Sequence, residues 1–241
     1  MSEKDNFEKG IFWELYKDLE RQFENFLEYV PYLEENENMC SFKLLNLILS
    51  IGGHVDSAFK EMARYPDFSG NNDCKEILKR IRKKETVSIT LPLKAFETEY
   101  KLSEKTVTFK RVPEREKVMP FKPRSSRAKA PKWWKVYNDV KHDVSVNIKG
   151  ANLQTTLHAL AGAFLLNVIH FPAAHRLHEY GALKGQYFVN PFAVSESVET
   201  IAKSLSGEPF LSREAFQAVL EGKISYPIYV ETSLFKYEYN Q

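Results

Sequence analysis

Cysteine is nearly absent: two in 241 residues, Cys40 and Cys74. That is too few for a disulfide framework or a cysteine metal cluster, and it suits a reducing cytosol. Ten glycines and eleven prolines leave little material for long flexible linkers. Long apolar runs are missing too. The longest, 159–169, is too short to span a bilayer, and the acidic N-terminus does not read as a secretory leader. A soluble, cytoplasmic protein is expected. The usual catalytic signatures, GxSxG, the P-loop, GxGxxG, HExxH and CxxC, do not occur. His175 and His178 stand three apart with no third ligand nearby, so they read as surface or packing residues. No metal and no cofactor is expected.

What the chain has is aromatic and apolar material at regular spacing. Hydrophobic residues make up 43% and charged residues 27%, the balance of an ordinary globular protein. Phe12, Leu15, Tyr16, Leu19, Phe23, Phe26, Leu27 and Val30 recur at helical spacing over 6–30. Ser41 caps a second helix to about 63, with a stripe through Leu44, Ile48, Ile51, Val55 and Phe59. Gly52-Gly53 interrupts it, which predicts a bend or a close helix–helix approach. The two read as an antiparallel hairpin. A short basic helix covers 74–84. The alternation over 86–91 and 106–111 predicts strands, with an edge piece at 118–121, so 86–123 is expected to be a small β insertion. Asn152 caps an apolar, central helix that is expected to run through Pro172 to about 180. Gly181–Gly185 reads as a turn, 195–205 and 212–220 as short helices, and 225–239 as strand able to pair with the insertion. The expected fold is therefore mostly α, an antiparallel helical bundle with a small β insertion and C-terminal strands. Residues 1–180 form its main domain, and 181–241 form an extension packing on it.

The net charge of +2 hides a polarity. Residues 1–40 hold 11 acidic and 4 basic side chains, whereas 117–135 hold 7 basic and no acidic ones. The basic stretch, Lys117, Lys122, Arg124, Arg127, Lys129, Lys132 and Lys135, runs into Trp133-Trp134. Lysine and arginine attract phosphate, and bases stack on aromatic faces, so the stretch suits RNA or another single-stranded nucleic acid. A solvated connector ending in buried tryptophans explains it equally well. Pro131 starts a helix to about 143. On it Trp134, Asn138 and His142 share one face at i, i+4 and i+8, with Lys141 beside them. His142 is the candidate for proton transfer, and Lys141 the candidate for stabilising a phosphorane-like anion.

The order of elements, two long antiparallel helices, an insertion, a polar motif helix and an apolar last helix, resembles the HEPN superfamily over about residues 6–180. The family motif is arginine, a polar residue, three or four further residues, then histidine. Tyr137-Asn138-Asp139-Val140-Lys141-His142 matches it at Asn138 and His142 and carries Tyr137 in place of the arginine. The Trp-Trp-x-x-Tyr-Asn-x-x-Lys-His string also resembles a variant motif of HEPN-like bacterial proteins. The resemblance implies a homodimer whose motif helices face one cleft. It also implies RNA binding, extending to metal-independent endoribonuclease activity of a toxin or phage-defence kind. His142 would be acid/base, Asn138 would position it or the phosphate, Lys141 would stabilise charge and Tyr137 would orient the substrate. Asp56 or Glu61 would supply the second-helix acid often found in the nuclease members. A tyrosine cannot make arginine's bidentate phosphate contact. The alternative is therefore a non-catalytic dimeric interaction or scaffold protein, in which the motif helix is a brace.

Overall fold

The structure is a computed structural model. It describes residues 10–65, 68–112, 117–125, 130–170, 182–184 and 229–239, together with Ala173, Leu177 and Tyr180. The fold is mostly helical. Helix α1, Ile11–Leu27, buries Phe12, Tyr16, Leu19, Phe23 and Phe26 along one stripe, as the spacing predicts, whereas Leu15, expected in the same stripe, is exposed. Helix α2, Phe42–Met62, starts at Ser41, whose hydroxyl accepts from the Leu44 amide at 3.1 Å. It packs against α1 as the second arm of the hairpin. Helix α3, Asn72–Arg82, starts at Asn71, whose side-chain oxygen accepts from the amides of Asp73 and Cys74.

Residues 86–123, expected to be a β insertion, are only partly β. Residues 86–89 are loop, and Thr90–Tyr100 is a helix, α4, packed on α3. Thr86 to Leu91 does alternate, but so short a pattern does not distinguish strand from an irregular lead into a helix. The helical signal lay just beyond it: Pro92 in the first turn, where a missing amide costs nothing, then Phe96 and Tyr100 four apart. Phe96 stacks on Phe59 of α2 at 5.9 Å and meets Phe68 edge-on at 4.9 Å.

Strand β1, Val107–Phe109, and strand β2, Lys117–Val118, follow. Then come α5, Lys132–His142, the short α6, Val144–Asn147, and α7, Leu153–Ile169. Asn152 accepts from the Thr155 amide at 2.9 Å, and α7 is buried nearly all round at the centre of the bundle. The remaining strands are β3, Leu183–Lys184, β4, Tyr229–Glu231, and β5, Phe235–Glu238. The sheet order is β2-β1-β5-β4-β3, with every pairing antiparallel. The predicted pairing of the C-terminal strands with the insertion is thus present, through Thr108 opposite Lys236 and Phe109 opposite Phe235. Leu183 and Lys184, expected in a turn, pair with β4 instead. The expected helices at 195–205 and 212–220 lie outside the described residues, as do His175, His178 and most of the expected continuation of α7 past Pro172.

The sheet is fastened to the bundle by aromatic and polar contacts. Phe235 stacks on Phe164 at 5.6 Å, and the Tyr239 hydroxyl donates to the Val168 carbonyl of α7 at 2.5 Å. Glu20 of α1 accepts from the Thr232 hydroxyl and from the Leu234 amide in the β4–β5 turn. Burial raises the pKa of the Glu20 carboxyl even though these donors favour its charged form.

Candidate functional site on helix α5

Helix α5 is held on several sides, and each contact follows from the size of the residue that meets it. The Trp133 ring lies under α7, where a Cβ on Gly162 would come within 3.2 Å of it. Its Nε1–H donates to the Pro120 carbonyl at 2.7 Å, which satisfies the polar end of a fully buried indole. Trp134 meets Trp133 edge-on at 5.4 Å and Tyr137 at 4.9 Å. Tyr137 lies across α2 at Gly52, where a Cβ would sit 2.2 Å from the ring. Of the two readings of Gly52-Gly53, the close helix approach is therefore the one present at Gly52. At the far end, the Asn147 amide donates to the carbonyls of Asp139 and Asp143 and closes the last turn.

The outer edge of α5 forms one wall of a groove of about 620 Å³. Trp134, Lys135, Asn138, Asp139 and His142 line that wall, and residues 86–90, Arg124 and Ala130 line the other. The shared face read from the i, i+4, i+8 spacing is thus a real surface. Asn138 is half-buried and His142 is exposed. Lys135 forms an ion pair with Asp139, one turn on, so part of its charge is neutralised locally. Next to His142, the Asp143 carboxyl is held below its usual range by the Ser145 hydroxyl, which donates at 2.6 Å, and then by the Val146 amide.

The other predicted residues fall elsewhere. Tyr137 is 6% exposed and is not part of the groove wall, so a substrate-orienting role does not fit its position. Lys141 is exposed and stands over the Tyr137 ring at 5.5 Å from its centroid, also away from the groove wall. Lys132 lines a second cavity, of about 420 Å³. Arg127 and Lys129 lie outside the described residues. Asp56 is paired with Lys60, and Glu61 is buried and bound to Arg64 at 2.6 Å; neither reaches the groove.

The residue that the motif reading passed over is Arg124. It is exposed, forms no ion pair among the described residues, and lines the same groove as Asn138 and His142. It stands thirteen residues upstream of Tyr137 in the chain. Its signal in the sequence was the proline punctuation of the leader, Pro120, Pro123 and Pro131. The chain turns back there, and the Arg124 amide donates to the Ala130 carbonyl at 3.2 Å. An imidazole, an amide and a guanidinium in one open groove can hold a phosphate and move a proton beside it. Among the described residues, no three His, Cys, Asp or Glu side chains are grouped to hold a metal ion, and no helix is long and apolar enough to cross a membrane. No family model matches the chain, and no curated protein or solved structure does.

Proposed function

We propose that this protein is an HEPN-like RNA-binding protein that takes single-stranded RNA along the α5 groove and cleaves it without a metal. The observation that carries this reading is the convergence of Arg124, Asn138 and His142 on one groove wall pair. Arg124 supplies the cation that Tyr137 cannot. In the reaction, the unprotonated imidazole of His142 takes the proton of a ribose 2′-hydroxyl, and the 2′ oxygen attacks the adjacent phosphorus. The 5′ oxygen leaves with a proton, giving a 2′,3′-cyclic phosphate and a 5′-hydroxyl end. Arg124 neutralises the charge that builds on the phosphorane oxygens, and Asn138 orients the phosphate. In the homodimer that this reading expects, the second copy of His142 faces the same cleft and donates the leaving-group proton. A toxin or phage-defence role follows if cleavage falls on the cell's own transcripts.

Purified protein is incubated with a mixed-sequence RNA in the presence of a chelator, and the ends are analysed. Cyclic phosphate ends are expected. His142→Ala should lower the rate by about 10²–10⁴-fold, the usual contribution of a positioned acid/base. Undiminished cleavage by that variant with an intact fold would rule out the catalytic role. Expression of the wild type, but not of His142→Ala, should arrest growth.

The burial of Tyr137 under α2 favours a second reading, a non-catalytic scaffold in which α5 is a brace across a dimer seam. Salt separates the two. Phosphate contacts weaken steeply as salt rises, whereas the scaffold binds no RNA even at low salt and remains a dimer.

A further inference from the structure

Behind the leader lies a cavity of about 420 Å³ whose charged wall residues are all cationic. Lys117, Lys122, Arg124 and Lys132 line it with Thr155 and His158 of α7, and among the described residues no aspartate or glutamate takes part. Many cations of this protein lean on a carboxylate: Lys60 on Asp56, Lys94 on Asp73, Lys110 on Glu231, Arg111 on Glu24, Lys135 on Asp139 and Lys236 on Glu238. These four form no ion pair among the described residues. Four cations around one concavity repel one another, and the arrangement becomes favourable when an anion sits between them. The His158 imidazole, which burial and then Lys132 hold down at a pKa of about 4, adds no further charge near neutral pH and keeps an N–H to donate. The volume lies in the range of sites for small ligands, about 300–1,000 Å³. Arg124 belongs to this cavity and to the α5 groove alike, so a strand lying in the groove leads past Arg124 into it.

We infer that this cavity is a binding site for a terminal phosphate, the multiply charged phosphomonoester of an RNA end or of a nucleotide, formed by Lys117, Lys122, Arg124 and Lys132. A diester in the groove carries one charge per phosphate. A cavity lined by four cations favours a group that carries more than one. Assigning the occupant to an RNA end rests on the RNA-binding reading above; the phosphate chemistry of the cavity does not.

Binding is measured by calorimetry on the full chain with inorganic phosphate, a nucleoside monophosphate, and one oligoribonucleotide in 5′-phosphorylated, 3′-phosphorylated and unphosphorylated forms. One of the phosphorylated forms should bind about tenfold more tightly than the unphosphorylated one, the effect of one or two charge-assisted hydrogen bonds. Lys122→Ala with Lys132→Ala should abolish that preference, while Lys141→Ala, outside the cavity, keeps it. Thermal melts check that the variants are folded, and the wild-type preference is informative by itself. Equal binding of all three oligonucleotides, with no binding of phosphate or nucleotide, overturns the inference and leaves RNA binding in the groove standing. Binding of phosphate and nucleotide without binding of any oligonucleotide supports the cavity and overturns the RNA reading.

Discussion

At the scale of the residue, Trp133 carries the position of α5 through a single polar atom. Its indole is 1% exposed, and its Nε1–H meets the Pro120 carbonyl at 2.7 Å. Pro120 belongs to the stretch that leads to Lys122 and Arg124, so this bond ties the cationic leader to the motif helix. Trp133→Phe keeps an aromatic ring in the core but leaves the Pro120 oxygen buried without its donor. The expected loss is about 1–3 kcal/mol, the cost of an unsatisfied buried group. Urea unfolding measures it; a loss below about 0.5 kcal/mol would show that water replaces the donor. Lys141 offers the opposite case. Its ammonium rests on the Tyr137 ring at an exposed site, where such a contact contributes about 0.5–1 kcal/mol, so Lys141→Ala should lower stability only slightly. At this scale the spacing placed Trp134, Asn138 and His142 on one face, and all three line one groove. Tyr137 and Lys141 lie off that groove, which the spacing did not show because helical periodicity does not reveal which neighbour covers a given face.

At the scale of the element, the packing of α5 on α2 depends on Gly52, and the adjacent Gly53 provides an internal control. A Cβ at position 52 would stand 2.2 Å from the Tyr137 ring, whereas at position 53 it would meet nothing within 4 Å. Gly52→Ala therefore gains about 1 kcal/mol of helix propensity but must push a buried ring and its helix aside, at a typical overpacking cost of 1–3 kcal/mol or about that. Gly53→Ala gains the propensity without the clash. The two alanines should shift the urea midpoint in opposite directions, down for position 52 and up for position 53. A midpoint that rises in both would mean that α5 is not seated on α2. Replacing Tyr137 as well should recover part of the loss at position 52, a coupling that a double-mutant cycle reads directly. The helices were legible because long apolar stripes and side-chain caps are local: Ser41 and Asn152 cap where their sequence places them. The lead into α4 was not legible, because Thr86 to Leu91 alternates over too few residues to choose a period. Arg124 was legible only as one cation of the basic stretch, because its place across the groove from His142 depends on how a proline-punctuated loop folds back.

At the scale of the whole molecule, acid is the perturbation the fold is least built to tolerate. His54, buried between α1, α2 and α7, is held at a pKa of about 4 by burial. Its Nε2 lies 3.2 Å from the Asn167 amide, and Phe12 packs edge-on against the ring. His158 is held at about 4 and His170 at about 3, again chiefly by burial. In the unfolded chain all three return to about 6.5. Between that value and about pH 4 the unfolded chain binds protons that the folded chain refuses, so stability falls as the pH falls through this window. Above about 6.5 both states hold these imidazoles neutral, and the contribution is flat. Each histidine adds a slope of about 1.4 kcal/mol per pH unit where the two states differ by a full proton. Glu20 works the other way. Burial raises its pKa, so the folded state holds a proton that the unfolded state has lost, and lowering the pH through that range stabilises the fold. Three groups against one decide the sign: the melting temperature should hold near neutral pH and drop steadily below about 6.5. His54→Gln, which cannot take up a proton, should flatten that drop by about one third while costing stability at neutral pH. A melting temperature independent of pH down to about 4.5 would mean that these imidazoles reach water, and that α1, α2 and α7 do not close around His54.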